Sequence, residues 1–98
     1  MKVAICEDEK VMADKIWSFF FDMKDINAKC YPDSESLLSD YEKGERYDIV
    51  FCDIVMKSMN GIELCRALRK LDENVYFCII TNYVEYAPSG YEAGVFRY

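Results

Sequence analysis

The sequence predicts one α/β domain built on a doubly wound parallel sheet of five strands. Short apolar runs alternate with longer amphipathic stretches along all 98 residues, and such alternation forms right-handed βαβ units. Several runs are apolar on both faces, as is typical of parallel strands that helices cover from each side. Because no repeat, linker or change of composition divides the chain, we expect a single domain over residues 1–98.

The first strand and first helix are predicted at the start of the chain. Residues 2–6 read as a strand, and the acidic turn Glu7-Asp8-Glu9 follows it. Residues 10–24 predict a helix, because apolar side chains recur there at helical spacing. Those side chains are Met12, Ile16, Phe19, Phe20 and Met23.

A second strand and helix follow. Residues 28–31 predict a short strand that Pro32 closes. Asp33 or Ser34 is placed to cap the next helix, since short polar side chains accept hydrogen bonds from the first free amides of a helix. Gly44 is placed to end that helix.

The second half of the chain predicts three more strands. Residues 49–52 are wholly apolar and end at Asp53, and residues 75–80 form another apolar run. A helix between them follows the turn at residues 59–61, with an apolar stripe of Ile62, Cys65 and Leu68. Residues 84–93 predict a weaker helix that a proline and a glycine interrupt. Residues 95–98 begin a last strand, which we expect to be incomplete.

Composition excludes several functions. The chain has 18 Asp and Glu against 12 Lys and Arg, a net charge of -6. Nucleic-acid binding needs clustered basic residues that displace counterions from phosphates, so direct DNA or RNA binding is not expected. The chain has no histidine, which rules out histidine metal ligands and Ser-His-Asp triads within these residues.

The five cysteines and the lack of a long apolar segment indicate the compartment. The cysteines show no C-x-x-C spacing, and three lie inside apolar runs. We expect free thiols that pack as small apolar side chains in a reducing cytosol. Because no segment approaches the ~18 apolar residues of a membrane span, we expect a soluble cytoplasmic protein that does not contact membranes.

Polar residues cluster where the predicted strands end. In open parallel sheets, ligands bind beyond the carboxyl ends of the strands, where the strand order reverses. Glu7 and Asp8 follow the first strand, Asp53 ends the third, and Thr81 follows the fourth. With the strand order 2-1-3-4-5, the first and third strands are neighbours, and the three carboxylates converge.

Converging carboxylates repel each other, so the cluster favours a cation. Oxygen ligands without His or Cys favour Mg²⁺, and a carboxylate such as Asp53 can act as a nucleophile toward a phosphoryl group. Thr81 could then donate its hydroxyl to a phosphoryl oxygen. Each residue also has a structural interpretation: the acidic turn as a solvated loop, Asp53 as a turn residue and Thr81 as a strand former.

Four segments resemble the receiver domain of two-component response regulators. They are residues 3–9 (Val-Ala-Ile-Cys-Glu-Asp-Glu), residues 47–63 around Asp53, residues 79–82 (Ile-Ile-Thr-Asn) and residues 93–98 (Ala-Gly-Val-Phe-Arg-Tyr). The spacings from Asp53 to Gly61 and to Thr81 are similar to those of that family. Residues 81–87 (Thr-Asn-Tyr-Val-Glu-Tyr-Ala) and 95–98 (Val-Phe-Arg-Tyr) are similar to receivers joined to LytTR-type DNA-binding domains. The resemblance implies the flavodoxin-like receiver fold and a role in transcription control.

The resemblance also implies a role for each site residue. Asp53 would be the phosphoacceptor and, with Asp8, would bind Mg²⁺, while Glu7 would act mainly through water. The Val55 backbone carbonyl would complete the protein ligands. Two further residues would form the switch pair: the hydroxyl of Thr81 and the aromatic ring of Tyr98.

Partners follow from the same resemblance. A sensor histidine kinase would supply the phosphoryl group from a phosphohistidine, the domain could form a homodimer on activation, and DNA would be contacted only through an effector domain. A receiver promotes its own phosphorylation and dephosphorylation and is not a stand-alone enzyme.

The sequence departs from the family pattern at two points, and these departures leave an alternative function open. Lys57 stands where many receivers have proline, and the family lysine and last helix would come after Tyr98. We therefore expect a C-terminally truncated receiver. The alternative is a pseudo-receiver, an interaction module that is never phosphorylated. A flavodoxin-like cofactor site is rejected because Glu7 and its acidic neighbours would repel phosphate, and a hydrolase is disfavoured because no general base accompanies the carboxylates.

Overall fold

The computed structural model describes residues 1–54, 56, 59–80 and 95–97. The elements run β1 (Lys2–Cys6), α1 (Lys10–Phe20), β2 (Asn27–Tyr31), α2 (Ser34–Glu42), β3 (Ile49–Asp53), α3 (Gly61–Leu71), β4 (Tyr76–Ile80) and β5 (Val95–Arg97). The predicted helix at 84–93 lies outside the described residues. Within the described part of the chain, no helix is long and apolar enough to cross a membrane.

The sheet confirms the predicted topology. The strand order is β2-β1-β3-β4-β5, and all neighbouring pairs are parallel. Cys6 of β1 lies opposite Cys52 of β3 in the register, so the residues that follow the two strands emerge side by side. The strand order reverses at this pair, which is where ligands bind in open α/β sheets.

Two cores of unequal size hold the sheet. The larger core packs the face of β1, β3 and β4 that carries Ala4, Val50 and Phe77 against α2 and α3. On the other face, a small buried core of Val3, Ile5 and Ile16 lies under α1, with Phe20 and Phe51 partly buried against it. Alternate residues of each strand therefore enter different cores, as the period of two along a strand requires.

The prediction of which apolar side chains α1 buries is partly wrong. Ala13 and Ile16 are its buried residues, whereas Phe19 is 72% exposed and both Met12 and Met23 are also exposed. The helix ends at Phe20 rather than near residue 24. The chain turns there, with the Met23 amide bonded to the Phe20 carbonyl at 3.1 Å, because it must reverse direction to enter β2.

The strand predictions hold to within one residue at each described end. β2 begins one residue earlier than predicted, at Asn27, and β4 one residue later, at Tyr76. Tyr76, the first residue of β4, is 58% exposed. It points away from the larger core, toward the face where the small core lies.

The helix caps explain where α2 and α3 begin. The Asp33 carboxylate accepts a hydrogen bond from the Ser36 amide at 2.7 Å, so Asp33 rather than Ser34 is the cap of α2. After α2, Gly44 has φ +106°, a conformation that favours glycine. α3 begins with a reciprocal capping box between Asn60 and Glu63, which satisfies amides that no helical carbonyl reaches.

The cysteines are free thiols among the residues described, as predicted. Cys6, Cys52 and Cys65 are buried and Cys78 is partly buried. The expectation of core packing is wrong for Cys30, which is exposed because β2 lies at the edge of the sheet.

Gly61 brings the start of α3 into contact with the end of β3. A Cβ atom at this position would lie 2.4 Å from the Asp53 carbonyl oxygen, and the Gly61 amide donates to the Ile54 carbonyl at 3.0 Å. The glycine therefore allows a close approach between backbones rather than a special φ angle.

Gly61→Ala should lower the free energy of unfolding by about 2–3 kcal/mol, because the added methyl forces the backbone of α3 away from β3. Urea denaturation measures this change. The matched control is Gly44→Ala, which meets nothing within 4 Å and should cost only about 1 kcal/mol through its positive φ. Equal losses for the two variants would contradict the close approach.

Candidate functional site

The candidate site lies at the carboxyl edge of β1 and β3. Glu7 directly follows β1, Asp8 comes next, and Asp53 is the last residue of β3. Besides burial, Asp53 and Asp8 both raise the pKa of the Glu7 carboxyl. The Glu7 carboxyl is therefore within electrostatic reach of both Asp8 and Asp53.

Glu7 is the buried member of this cluster, with 4% of its surface exposed. Its amide donates to the Tyr31 carbonyl at 3.1 Å, which extends the pairing of β1 with β2 by one bond. Its Oε1 atom accepts from the Glu9 amide at 3.1 Å. These two bonds fix the acidic turn, so the Glu7 carboxyl is positioned by backbone contacts on both sides.

Burial raises the pKa of Glu7 to about 7, although the hydrogen bond from the Glu9 amide acts in the opposite direction. The negative charge of Asp53 and the Asp8 side chain raise this pKa further. At neutral pH the site therefore holds a carboxyl that is only partly ionised. A cation bound here would favour the ionised form of Glu7.

Ser34 supports the segment after β3, a role that its sequence position does not reveal. The side chain is 1% exposed, and its hydroxyl donates to the Met59 carbonyl at 2.8 Å. Met56 lies in the same segment, with its sulfur 3.8 Å from both the Ser34 hydroxyl and the Cys6 thiol. A serine at the start of a helix normally reads as a cap, so only the fold shows this contact.

A small cavity of about 270 Å³ adjoins the acidic edge on the side of α1. Its lining residues are Glu7, Asp8, Lys10, Ala13, Asp14, Cys30, Tyr31 and Pro32. A larger cleft of about 550 Å³ lies at the opposite end of the sheet, beside Lys2 and Asp48. Of the strand-end carboxylates, Glu7 and Asp8 line the smaller cavity.

The donor set fits one class of metal ion. Among the residues that the structure describes, no group of three or more His, Cys, Asp or Glu side chains is arranged to enclose a metal. Mg²⁺ typically binds one or two carboxylates and keeps several waters, which suits an edge where carboxylates already repel. Three predicted site residues, Val55, Thr81 and Tyr98, lie outside the described residues.

Fold and sequence together define the class of protein. The model of the response regulator receiver domain family matches residues 3–98, and the chain belongs to that family. Its structure has the flavodoxin-like receiver fold, a parallel sheet with the β2-β1-β3-β4-β5 order and helices on both faces. Receiver domains are signalling modules of two-component systems.

Individual relatives agree with this assignment. The chain is 28% identical over 103 residues to the sensory transduction protein LytT of Bacillus cereus, covering 100% of this chain and 40% of that protein. The chain thus spans about two fifths of the length of this curated relative.

Solved structures show the same fold. The response regulatory domain of protein mrkE from Klebsiella pneumoniae matches with a TM-score of 0.87 and 23% identity, covering 100% of this chain and 80% of that one. Response regulator TrrA from Thermotoga maritima, solved in complex with Mg²⁺-BeF, matches with a TM-score of 0.85 and 21% identity, covering 99% of this chain and 83% of that one.

Glu7→Gln should stabilise the metal-free protein at pH 8 by about 1–2 kcal/mol and leave it unchanged at pH 4. The pKa of Glu7 in the folded state lies above its unfolded value of 4.5. The contribution of Glu7 to the free energy of unfolding is therefore fully present below pH 4.5 and is lost as the pH rises through 7. Thermal melts in a chelator at both pH values measure the difference.

The control for this experiment is Glu9→Gln, which removes a carboxylate from an exposed position in the same turn. It should reproduce neither the gain at pH 8 nor its pH dependence. A Glu7→Gln variant with wild-type stability at pH 8 would show that the buried carboxyl imposes no cost on the fold.

Proposed function

We propose that this domain is a phosphorylation switch in which Asp53 accepts a phosphoryl group from a sensor histidine kinase. The observation that carries the proposal is the charge arrangement at the strand ends. Asp53 ends β3 beside Glu7, a carboxyl that is buried and whose pKa is raised to about 7. A fold does not gain stability from such a cluster, so its presence favours a functional role.

The Asp53 carboxylate is the nucleophile of the proposed transfer. One of its oxygens attacks phosphorus, the bond between phosphorus and the imidazole nitrogen of the kinase breaks, and the electron pair leaves with the imidazole. The attacking carboxylate needs no general base, because it is the ionised form that reacts. The product is an aspartyl phosphate, which changes the charge at the carboxyl edge of β3.

Mg²⁺ would be held by Asp8 and Asp53, by Glu7 through water and by the Val55 backbone carbonyl. The ion supplies charge neutralisation for the incoming phosphoryl group. The support in this chain is the converging carboxylates. The TrrA structure that this fold resembles was itself solved with Mg²⁺-BeF.

Thr81 and Tyr98 would carry the change of state away from Asp53. In the proposed switch, the Thr81 hydroxyl donates to a phosphoryl oxygen, and the Tyr98 ring turns inward as that contact forms. Thr81 immediately follows Ile80, the register partner of Asp53 in β4. This sequence position is compatible with the donor role.

The output would be control of transcription through a partner domain. LytT, the relative described above, is named a sensory transduction protein, and this chain matches two fifths of it. We infer that phosphorylation acts through an effector domain that contacts DNA, with homodimer formation as one route of activation. The acidic receiver itself would not contact DNA.

Incubation with a small acyl-phosphate donor and Mg²⁺ should add the mass of one phosphoryl group to the protein, and Asp53→Asn should abolish the gain. An amide is a poor nucleophile and cannot form the acyl phosphate. Intact-protein mass spectrometry measures both results, with a chelator sample to test the metal requirement.

Asp48→Asn is the matched control, since Asp48 precedes the same strand at the opposite end of the sheet. It should take up phosphate as the wild type does. Uptake by Asp53→Asn would move the phosphoacceptor elsewhere. No uptake by the wild type would favour the phosphorylation-independent interaction module.

Mg²⁺ at ten times its Kd should raise the free energy of unfolding by about 1.4 kcal/mol. Asp8→Asn should abolish this increment and should itself stabilise the metal-free protein, because one of the repelling charges is gone. Thermal melts with and without Mg²⁺ measure both effects. An unchanged Mg²⁺ increment in Asp8→Asn would place the ion at other ligands.

A further inference from the structure

Two buried thiols face each other between β3 and α3. Cys52 and Cys65 are 2% and 0% exposed, and their sulfur atoms lie 3.8 Å apart. We propose that Cys52 and Cys65 form a reversible dithiol–disulfide pair. This modification site is separate from Asp53, although Cys52 is its neighbour in the chain.

The close approach of α3 to β3 explains why the thiols meet. Gly61 and Cys65 are four residues apart in α3 and so lie on the same face of the helix. Gly61 contacts the Asp53 carbonyl so closely that a Cβ atom would not fit. The same contact between α3 and β3 places the Cys65 side chain against Cys52, the residue before Asp53. To form a disulfide bond, the distance between the two sulfur atoms must shorten to ~2.0 Å.

The remaining cysteines are placed less well for pairing. Cys30 is exposed on the edge strand. Cys78 alternates with Phe77 and Ile79 of the larger core, so it points to the face opposite Cys52. Cys6 lies beside Cys52 in the sheet register, but its sulfur contacts Met56. Cys52–Cys65 is therefore the pair that the geometry favours.

Hydrogen peroxide is the oxidant in the proposed reaction, and it is small enough to reach the thiols when the core opens transiently. One thiolate attacks a peroxide oxygen and becomes a sulfenic acid, with water released. The second sulfur then attacks the sulfenic sulfur, the sulfur–sulfur bond forms and a second water leaves. Two thiols are oxidised and one peroxide is reduced to two waters.

Burial makes this reaction slower than oxidation of an exposed thiol. The contact with Cys65, together with burial, raises the pKa of Cys52, so little thiolate is present at neutral pH. Once formed, the buried disulfide is equally shielded from reductants. It closes a loop through Asp53 and the start of α3, which restricts the unfolded chain and raises the melting temperature.

The test uses the whole protein with Cys30→Ser, which removes the exposed thiol. The protein is treated with hydrogen peroxide, the excess is removed by catalase, and remaining thiols are alkylated in denaturant before proteolysis. We expect a linked peptide pair containing Cys52 and Cys65, about 2 Da lighter than the two thiol peptides. Dithiothreitol should reverse it, and Tm should be about 5–10 °C higher before reduction.

Three variants sharpen the result. Cys65→Ala and Cys52→Ala should each abolish the linked pair, while Cys6→Ala, which alters a buried thiol on the neighbouring strand, should retain it. The peptide map of the Cys30→Ser protein is decisive even if a core variant fails to fold. Absence of the linked pair, a link from Cys52 to Cys6, or sulfinic acid alone at these positions would overturn the proposal. No readout depends on phosphorylation of Asp53.

Discussion

Parallel pairing of β1 with β3 is the constraint on which the site depends. The register that sets Cys6 opposite Cys52 delivers Glu7 and Asp53 to the same edge, and a slip of one residue would turn one of them to the other face of the sheet. Both strands alternate side chains between two apolar cores. The hydrophobic effect therefore fixes the register, and the register assembles charges that repel each other.

The larger core stabilises this arrangement from one side. Gly61 lets α3 lie against the end of β3, and the Asn60–Glu63 capping box starts the helix at that point. Ser34 ties the beginning of α2 to the Met59 carbonyl. Both helices thus contact the backbone near the end of β3, on which the proposed change of charge at Asp53 would act.

The face beneath α1 is organised differently. Its buried core comprises Val3, Ile5 and Ile16, whereas Phe19 of α1 and Phe21, just after the helix, are exposed. The rings of Trp17 and Phe21 contact each other with centroids 4.9 Å apart and planes tilted by 48°. Apolar periodicity alone overestimates burial here, because a helix can bury only the stripe that a second element covers.

The sequence by itself determined the strands, their parallel order and the carboxylates at their ends. These features follow from local periodicity and from connection rules that hold for any βαβ chain. Only the tertiary structure decided that Asp33 rather than Ser34 caps α2, that Glu7 is buried with a raised pKa, and that the Cys52 and Cys65 thiols meet. Burial and electrostatic shifts are set by atoms from distant parts of the chain. No local pattern contains that information until the elements pack.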